Sequence, residues 1–225
     1  MSHPRQRLAW PGLVFIFLGY LTVWLPGPGA GLSLIGLELS EWSKFLPEVQ
    51  SGDVGPRLWF SLPPISLGLM LALWSTGWPE RRWQTWAARG LAIVLALMAL
   101  PPLDVIRDEA VTVWIIPVAF VMLVGLAGIG AFALGRSAPS LREPIRDGLL
   151  LFVALIGLAL PTIVFLELRP LVSHLLGVPL GVGLGVWLNA AGHLLSLAAA
   201  VFPYITKETR FRAGGRETER HAGIY

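Results

Sequence analysis

The chain contains no cysteine, and only 14% of its residues are charged. The first absence removes disulfides, thiolate nucleophiles and iron–sulfur ligation together. The second leaves 225 residues that are 55% hydrophobic, with a mean hydropathy of +0.68. That is more apolar surface than a water-soluble domain can bury. No GxSxG, HExxH or lysine-bearing glycine loop occurs, so the usual hydrolase, zinc-protease and nucleotide signatures are missing. Histidine is scarce. His3 and His221 lie in polar ends, and His174 and His193 are 19 positions apart, about 28 Å along one helix and too far to share an iron. No spacing suits zinc, and no metal or cofactor is expected.

What is present is hydrophobic length. Six apolar runs, about 8–25, 58–76, 86–106, 111–134, 148–166 and 175–205, can each cross a hydrocarbon layer of about 30 Å. Cations fall on alternate sides of them. Thirteen of the seventeen, among them Arg5, Arg7, Arg81, Arg82, Arg89, Arg136, Arg142, Arg146 and Lys207, lie on the side of the first residue. Only Lys44, Arg57, Arg107 and Arg169 lie on the other. The positive-inside rule then predicts an all-α, six-helix polytopic membrane protein with both ends cytoplasmic, in a bacterial plasma membrane. Insertion accounts for the basic residues, so a nucleic-acid partner is excluded. The bilayer is the certain partner, with other membrane subunits and a small-molecule ligand as further candidates. Residues 1–206 read as one transmembrane domain and 207–225 as a polar cytoplasmic tail without packing periodicity. The first run resembles a signal peptide in its basic start, but its length and aromatics predict a retained anchor. Nine of the ten tryptophans fall near the expected interfaces, where indole prefers the headgroup level; Trp187 alone falls inside a run.

Between the first two runs, Leu39, Trp42, Leu46 and Val49 recur at helical spacing. They predict a short amphipathic helix on the extracytoplasmic side, broken or ended near Pro47. Prolines cluster toward that same side: Pro26, Pro63, Pro64, Pro101, Pro102, Pro117, Pro161 and Pro179. Each removes a backbone donor and bends or stops a helix, which predicts helices splayed around an outward-facing pocket. The last run is too long for one span. Its start, rich in Gly177, Pro179, Gly181, Gly183 and Gly185, is either part of a tilted helix or unwound. In a continuous helix Gly177, Gly181, Gly185, Asn189 and His193 would share one face. Polar groups at membrane depth face the interior, so Asn189 and His193 are the candidate ligand-binding residues, with Trp187 beside them and Glu167 at the rim. Interhelical hydrogen bonding is the competing role for Asn189 and His193. No nucleophile–base set is complete, since Ser196 beside His193 lacks an orienting third group. The expected function is therefore a non-enzymatic binding or translocation component. A partner subunit without a pocket is the alternative, and an intramembrane enzyme ranks last.

Overall fold

The computed structural model describes residues 4–29, 33–108, 110–137 and 139–202, and the expected tail 207–225 lies outside them. Among the described residues the chain is mostly helical. Helix α1 is Pro4–Leu21; α2, Gly36–Ser43; α3, Pro47–Ser51; α4, Leu62–Ser75; α5, Trp83–Leu97; α6, Leu103–Asp108; α7, Val111–Ser137; and α8, Pro139–Leu176. The last, α9, is Leu184–Phe202. A two-stranded antiparallel ribbon, β1 Val23–Leu25 with β2 Leu34–Ile35, interrupts the all-helical expectation. Among the described residues four helices are long and apolar enough to cross a membrane: Arg57–Ser75, Val113–Gly130, Glu143–Leu176 and Leu184–Phe202. The apolar part of α1, Arg7–Leu21, is shorter. So is α5, whose 15 residues make about 22 Å of helix.

Helix α4 is the axle. Every residue in it except Leu69 is buried, as befits a helix apolar on all sides. It packs against α1, α5, α7 and α8. Its prolines do not kink it: Pro63 and Pro64 occupy the first turn, where the missing donors have no helical acceptor anyway. A 3-10 turn, Arg57–Ser61, leads into them. At Gly68 a methyl would stand 2.7 Å from the Ala92 carbonyl, which shows how closely α5 approaches.

Several expected boundaries move, each for a physical reason. The first run stops being helical at Leu21 because Trp24 folds back, its indole donating to the Gly19 carbonyl at 2.8 Å. The third run stops at Leu97. Met98, Ala99 and Leu100 tighten into bonds three residues back, and Pro101-Pro102 offers no donors to continue. The fifth run does not stop at 166. Helix α8 carries on through Glu167, Arg169 and Pro170 for 38 residues in all, because Leu168 and Val172 are buried beyond the expected end. It finishes in a Schellman turn. Gly177 sits at φ +66, its N–H bonds the His174 carbonyl, and the Val178 N–H bonds that of Ser173 at 3.2 Å. The Ser173 hydroxyl then accepts from the Leu180 N–H at 3.1 Å.

Residues 177–183 are consequently unwound, so Gly177 and Gly181 do not share a helix face with Asn189. The unwound backbone docks on β1, where the Gly183 N–H donates to the Trp24 carbonyl at 2.8 Å. From Gly185 onward α9 runs antiparallel against α1 with backbones in contact. A methyl on Gly19 would stand 2.9 Å from the Gly185 carbonyl, and one on Gly12 would stand 2.9 Å from that of Gly192. Both pairs are seven residues apart, two helical turns, so glycine meets glycine along one seam.

Two hydrophobic cores result. The bundle core joins Leu13 and Ile16 of α1, the interior of α4, Ala92 and Ala96 of α5, Val124, Leu150, Ala154 and Ala199. The cap core joins Trp24, Leu39, Leu46, Phe60, Phe165, Leu168, Val172 and Val186. Trp24 is fully buried there, edge-on to Phe60 and Phe165 at 6.2 and 5.8 Å, rather than at a lipid interface. At the far end of the bundle Trp10 stacks on Trp78 at 6.1 Å. Buried Arg89 makes a two-pronged bond to Glu80 there, at 2.8 and 3.0 Å.

Candidate functional site

Between the two cores lies a thin polar layer. On α9, Asn189 and His193 are fully buried, one turn apart. The His193 Nδ1 faces the Asn189 carbonyl at 2.9 Å. Its Nε2 meets the Ser66 hydroxyl of α4, also at 2.9 Å. A carbonyl can only accept, so Nδ1 carries the ring proton in the neutral imidazole. Nε2 then accepts from Ser66. That same hydroxyl lies 2.9 Å from the Pro63 carbonyl, so one proton has two acceptors. Gly157 of α8 closes the layer, because a methyl there would stand 2.5 Å from the Ser66 oxygen and collide with His193 Nε2. Among the described residues the Asn189 carboxamide finds no hydrogen-bond partner at either atom.

A serine–histidine pair held by a third group is thus present, and its serine, Ser66, carries no catalytic signature in the sequence. The available signal was a serine at membrane depth inside LPPISLGL. Ser196 is not that partner: it bonds back to the Gly192 carbonyl at 2.9 Å. Catalysis needs access, and the pair has none. Ser66 is 3% exposed, His193 0%, and Gly157 occupies the approach.

The other expected site residues separate from Asn189 and His193. Trp187 is 64% exposed on the outside of α9, because two positions along a helix turn the side chain away from the Asn189 face. It cannot line an interior pocket with Asn189. Glu167, on the exposed side of α8, accepts from the Gly55 N–H at 2.9 Å. It ties the loop before Arg57 to α8. Gly177 is the α8 cap, Pro179 and Gly181 lie in the unwound stretch, and Gly185 belongs to the α1 seam.

The open volume is elsewhere. A cleft of about 1190 Å³ separates α2 and α3 from the ends of α5 and α7. Leu58, Met98, Val113 and Ile116 supply apolar walls, and Pro101, Pro102 and Pro117 line it too. Three of the eight clustered prolines line the cleft, which lies apart from the buried polar pair. Pro117 has no N–H to return to the Val113 carbonyl one turn earlier, and both residues line the cleft. Its rim is charged. Glu41 stands between Lys44 at 2.8 Å and Arg57 at 3.6 Å, and the Arg57 guanidinium also donates to the Ser40 carbonyl at 3.3 Å. Glu38, three residues before Glu41 on α2, also lines the cleft and accepts from the Ile35 N–H at 3.1 Å. The helix pair itself is split. Helix α2 ends at Ser43 and Pro47 opens α3 at its first turn, while Leu39 and Leu46 anchor both in the cap core.

Among the described residues no group of three or more histidines and carboxylates could hold a metal ion. Comparison with protein-family models, with curated proteins and with solved structures finds no match to this chain.

Proposed function

We propose that this is a six-span protein of a bacterial plasma membrane, with both ends cytoplasmic and the cap outside, acting as a non-enzymatic binding or translocation component. Four helices already have the length and hydropathy to span. The shorter α1 and α5 complete six where the bilayer thins to meet them. The cation distribution supports the orientation, since Arg81, Arg82, Arg89 and Arg146 lie at the end opposite the cap. One observation carries the functional reading: the cleft is apolar-walled and ion-rimmed, and its volume of about 1190 Å³ is somewhat larger than the roughly 300–1,000 Å³ of ordinary small-molecule sites. Helix α7, which forms one wall, is only 11% buried over its spanning window, so the cleft stands beside lipid as well as water.

The test is thermal stabilisation of purified protein by candidate amphiphiles, in wild type and in Ile116→Trp. Ile116 is 46% exposed on the cleft wall, so the larger ring narrows the cleft with little strain on the cores. A ligand that stabilises wild type should lose its effect in the variant; equal stabilisation of both would refute the reading. Orientation is tested separately. With no native cysteine, Gln50→Cys and Arg81→Cys each create a sole label, and an impermeant maleimide should reach only the first in intact cells.

A partner subunit is the second reading, and α7 favours it. Gly125 and Gly130 on that helix, and Gly90 on α5, have open space before them, so another membrane helix could approach closely. Native mass spectrometry after gentle extraction separates the two, a bound chain supporting the second reading and a bound small molecule the first.

A further inference from the structure

The charged residues lining the cleft balance, Glu38 and Glu41 against Lys44 and Arg57. They are also matched within the protein. Glu41 lies between Lys44 at 2.8 Å and Arg57 at 3.6 Å, and Arg57 donates besides to the Ser40 carbonyl. Glu38 accepts from the Ile35 N–H at the start of α2. A rim of zero net charge, paired within itself, offers no counterpart to a charged ligand of either sign. What the cleft selects must therefore lie in its apolar part.

That part reaches membrane depth. Val113, Ile116 and Pro117 line the cleft and belong to the apolar window of α7, Val113–Gly130. The 18 residues of that window make about 27 Å of helix. Beside it α5 has only 15 residues, about 22 Å. Past its end come Met98, Ala99, Leu100 and the two prolines, and all five line the cleft. The outermost turn of the α7 window thus has the cleft beside it where α5 falls short. Leu97 and Ile116 are 45% and 46% exposed, so apolar surface continues from the outer sides of both helices into the cleft. A polar solute would have to rest against Val113 and Ile116 at the depth of lipid tails. We propose that the occupant is the acyl chain of an outer-leaflet lipid, entering sideways between the end of α5 and the first turns of α7. The cleft reads the chain and leaves the headgroup charge unread. The thinning that so short an α5 demands of the bilayer then has a physical form, a lipid bent over the end of the helix. This rests on the six-span binding reading above and names its ligand class.

The experiment places the full chain in phosphatidylcholine vesicles with one nitroxide on one introduced cysteine, since the chain has none of its own. Relaxation of the label by oxygen, which concentrates in hydrocarbon, is compared with relaxation by a water-soluble nickel chelate. Met122→Cys, on the exposed side of α7, reports lipid, and Ser51→Cys, exposed at the end of α3, reports water. Met98→Cys reports the cleft; Leu58→Cys, elsewhere on its lining, serves if a label at 98 prevents folding. Oxygen should dominate at Met98 as it does at Met122. Adding Ile116→Trp should displace the chain, removing most of the oxygen relaxation at Met98 and none at Met122. Small equal fractions of phosphatidylcholine or phosphatidylglycerol, each with a nitroxide on the chain, should broaden the Met98 signal equally. A Met98 label relaxed chiefly by nickel would overturn the acyl-chain proposal and leave the cleft to a water-borne ligand. Oxygen relaxation that Ile116→Trp leaves whole would mean the label samples bulk lipid, and would overturn the chain in the cleft. A label that neither reagent reaches would mean the cleft is closed in the bilayer, and the binding reading would fall too. Broadening by one headgroup alone would overturn the indifference to charge.

Discussion

Gly19→Ala and Gly90→Ala are the same chemical change, yet they should move stability in opposite directions. A methyl on Gly19 would stand 2.5 Å from the Asn189 amide nitrogen, 2.9 Å from the Gly185 carbonyl and 3.1 Å from the Asn189 Cα. Every obstructing atom is backbone, so no side chain can rotate aside. Nor can α9 yield locally, because Gly185 is itself pressed against the Trp24 ring and the Thr22 carbonyl. The seam must open along much of its length. Overpacking of this kind costs about 1–3 kcal/mol, against about 0.5–1 kcal/mol returned by the better helix propensity of alanine. The net expectation is a loss of about 1–2 kcal/mol. At Gly90, on the exposed face of α5, nothing lies within 4 Å, and only the propensity gain remains. The two variants should differ by about 2 kcal/mol, roughly thirtyfold in the unfolding equilibrium. Reversible unfolding in mixed micelles, titrated with a denaturing detergent, measures that difference directly. Equal stability of the two variants would refute the backbone contact between α1 and α9.

Asn189→Leu should stabilise the protein by about 1 kcal/mol, since it removes a buried amide that bonds nothing and keeps its branched shape; a loss of that size in the same unfolding assay would mean the amide is engaged. The ring proton of His193 should reside on Nδ1, because that nitrogen faces a carbonyl, and nitrogen-15 NMR of histidine-labelled protein showing it on Nε2 would contradict the geometry. Ser66→Ala should cost about 1 kcal/mol by leaving Nε2 without a partner, and an unchanged unfolding midpoint would show the bond to be worthless. Arg89→Gln should cost about 1–2 kcal/mol, less than the 3–5 typical of a fully buried pair, because the Glu80 carboxylate left behind is 36% exposed and stays hydrated; a neutral result would assign the pair no structural weight.

Much of the architecture follows from composition and period. The four long helices lie where the apolar runs lie, because hydrocarbon length is a property of the residues themselves. Chain reversals were harder to read. Pro161 and Pro170 sit inside α8 without ending it, since burial of Phe165, Leu168 and Val172 outweighs one lost hydrogen bond each. The glycines after Leu176 unwind the chain because Gly177 takes the left-handed conformation, a choice that depends on Ser173 and Leu180 as well. The site shows the same division. That Asn189 and His193 turn inward was legible from their polarity at depth. Their partner Ser66 was not, because it lies 127 positions away and only packing unites them. Trp187, two positions from Asn189, points to another face, since proximity in sequence on a helix is not proximity on its surface. The cleft does not reach Asn189 or His193, and its charged rim depends on how α2 folds over the bundle.

The glycine seam also bears on how the protein is made. Gly19 on α1 and Gly185 on α9 are 166 residues apart, so their surfaces cannot meet until the intervening chain has been synthesised. At about 5–20 residues per second, the first helix waits on the order of ten seconds or more for its partner. During that interval the flat side of α1, with Gly12 and Gly19 on it, lies open to lipid or to an insertion factor. This late-made contact is one of the closest among the described residues, and α1 stays only partly docked until α9 arrives.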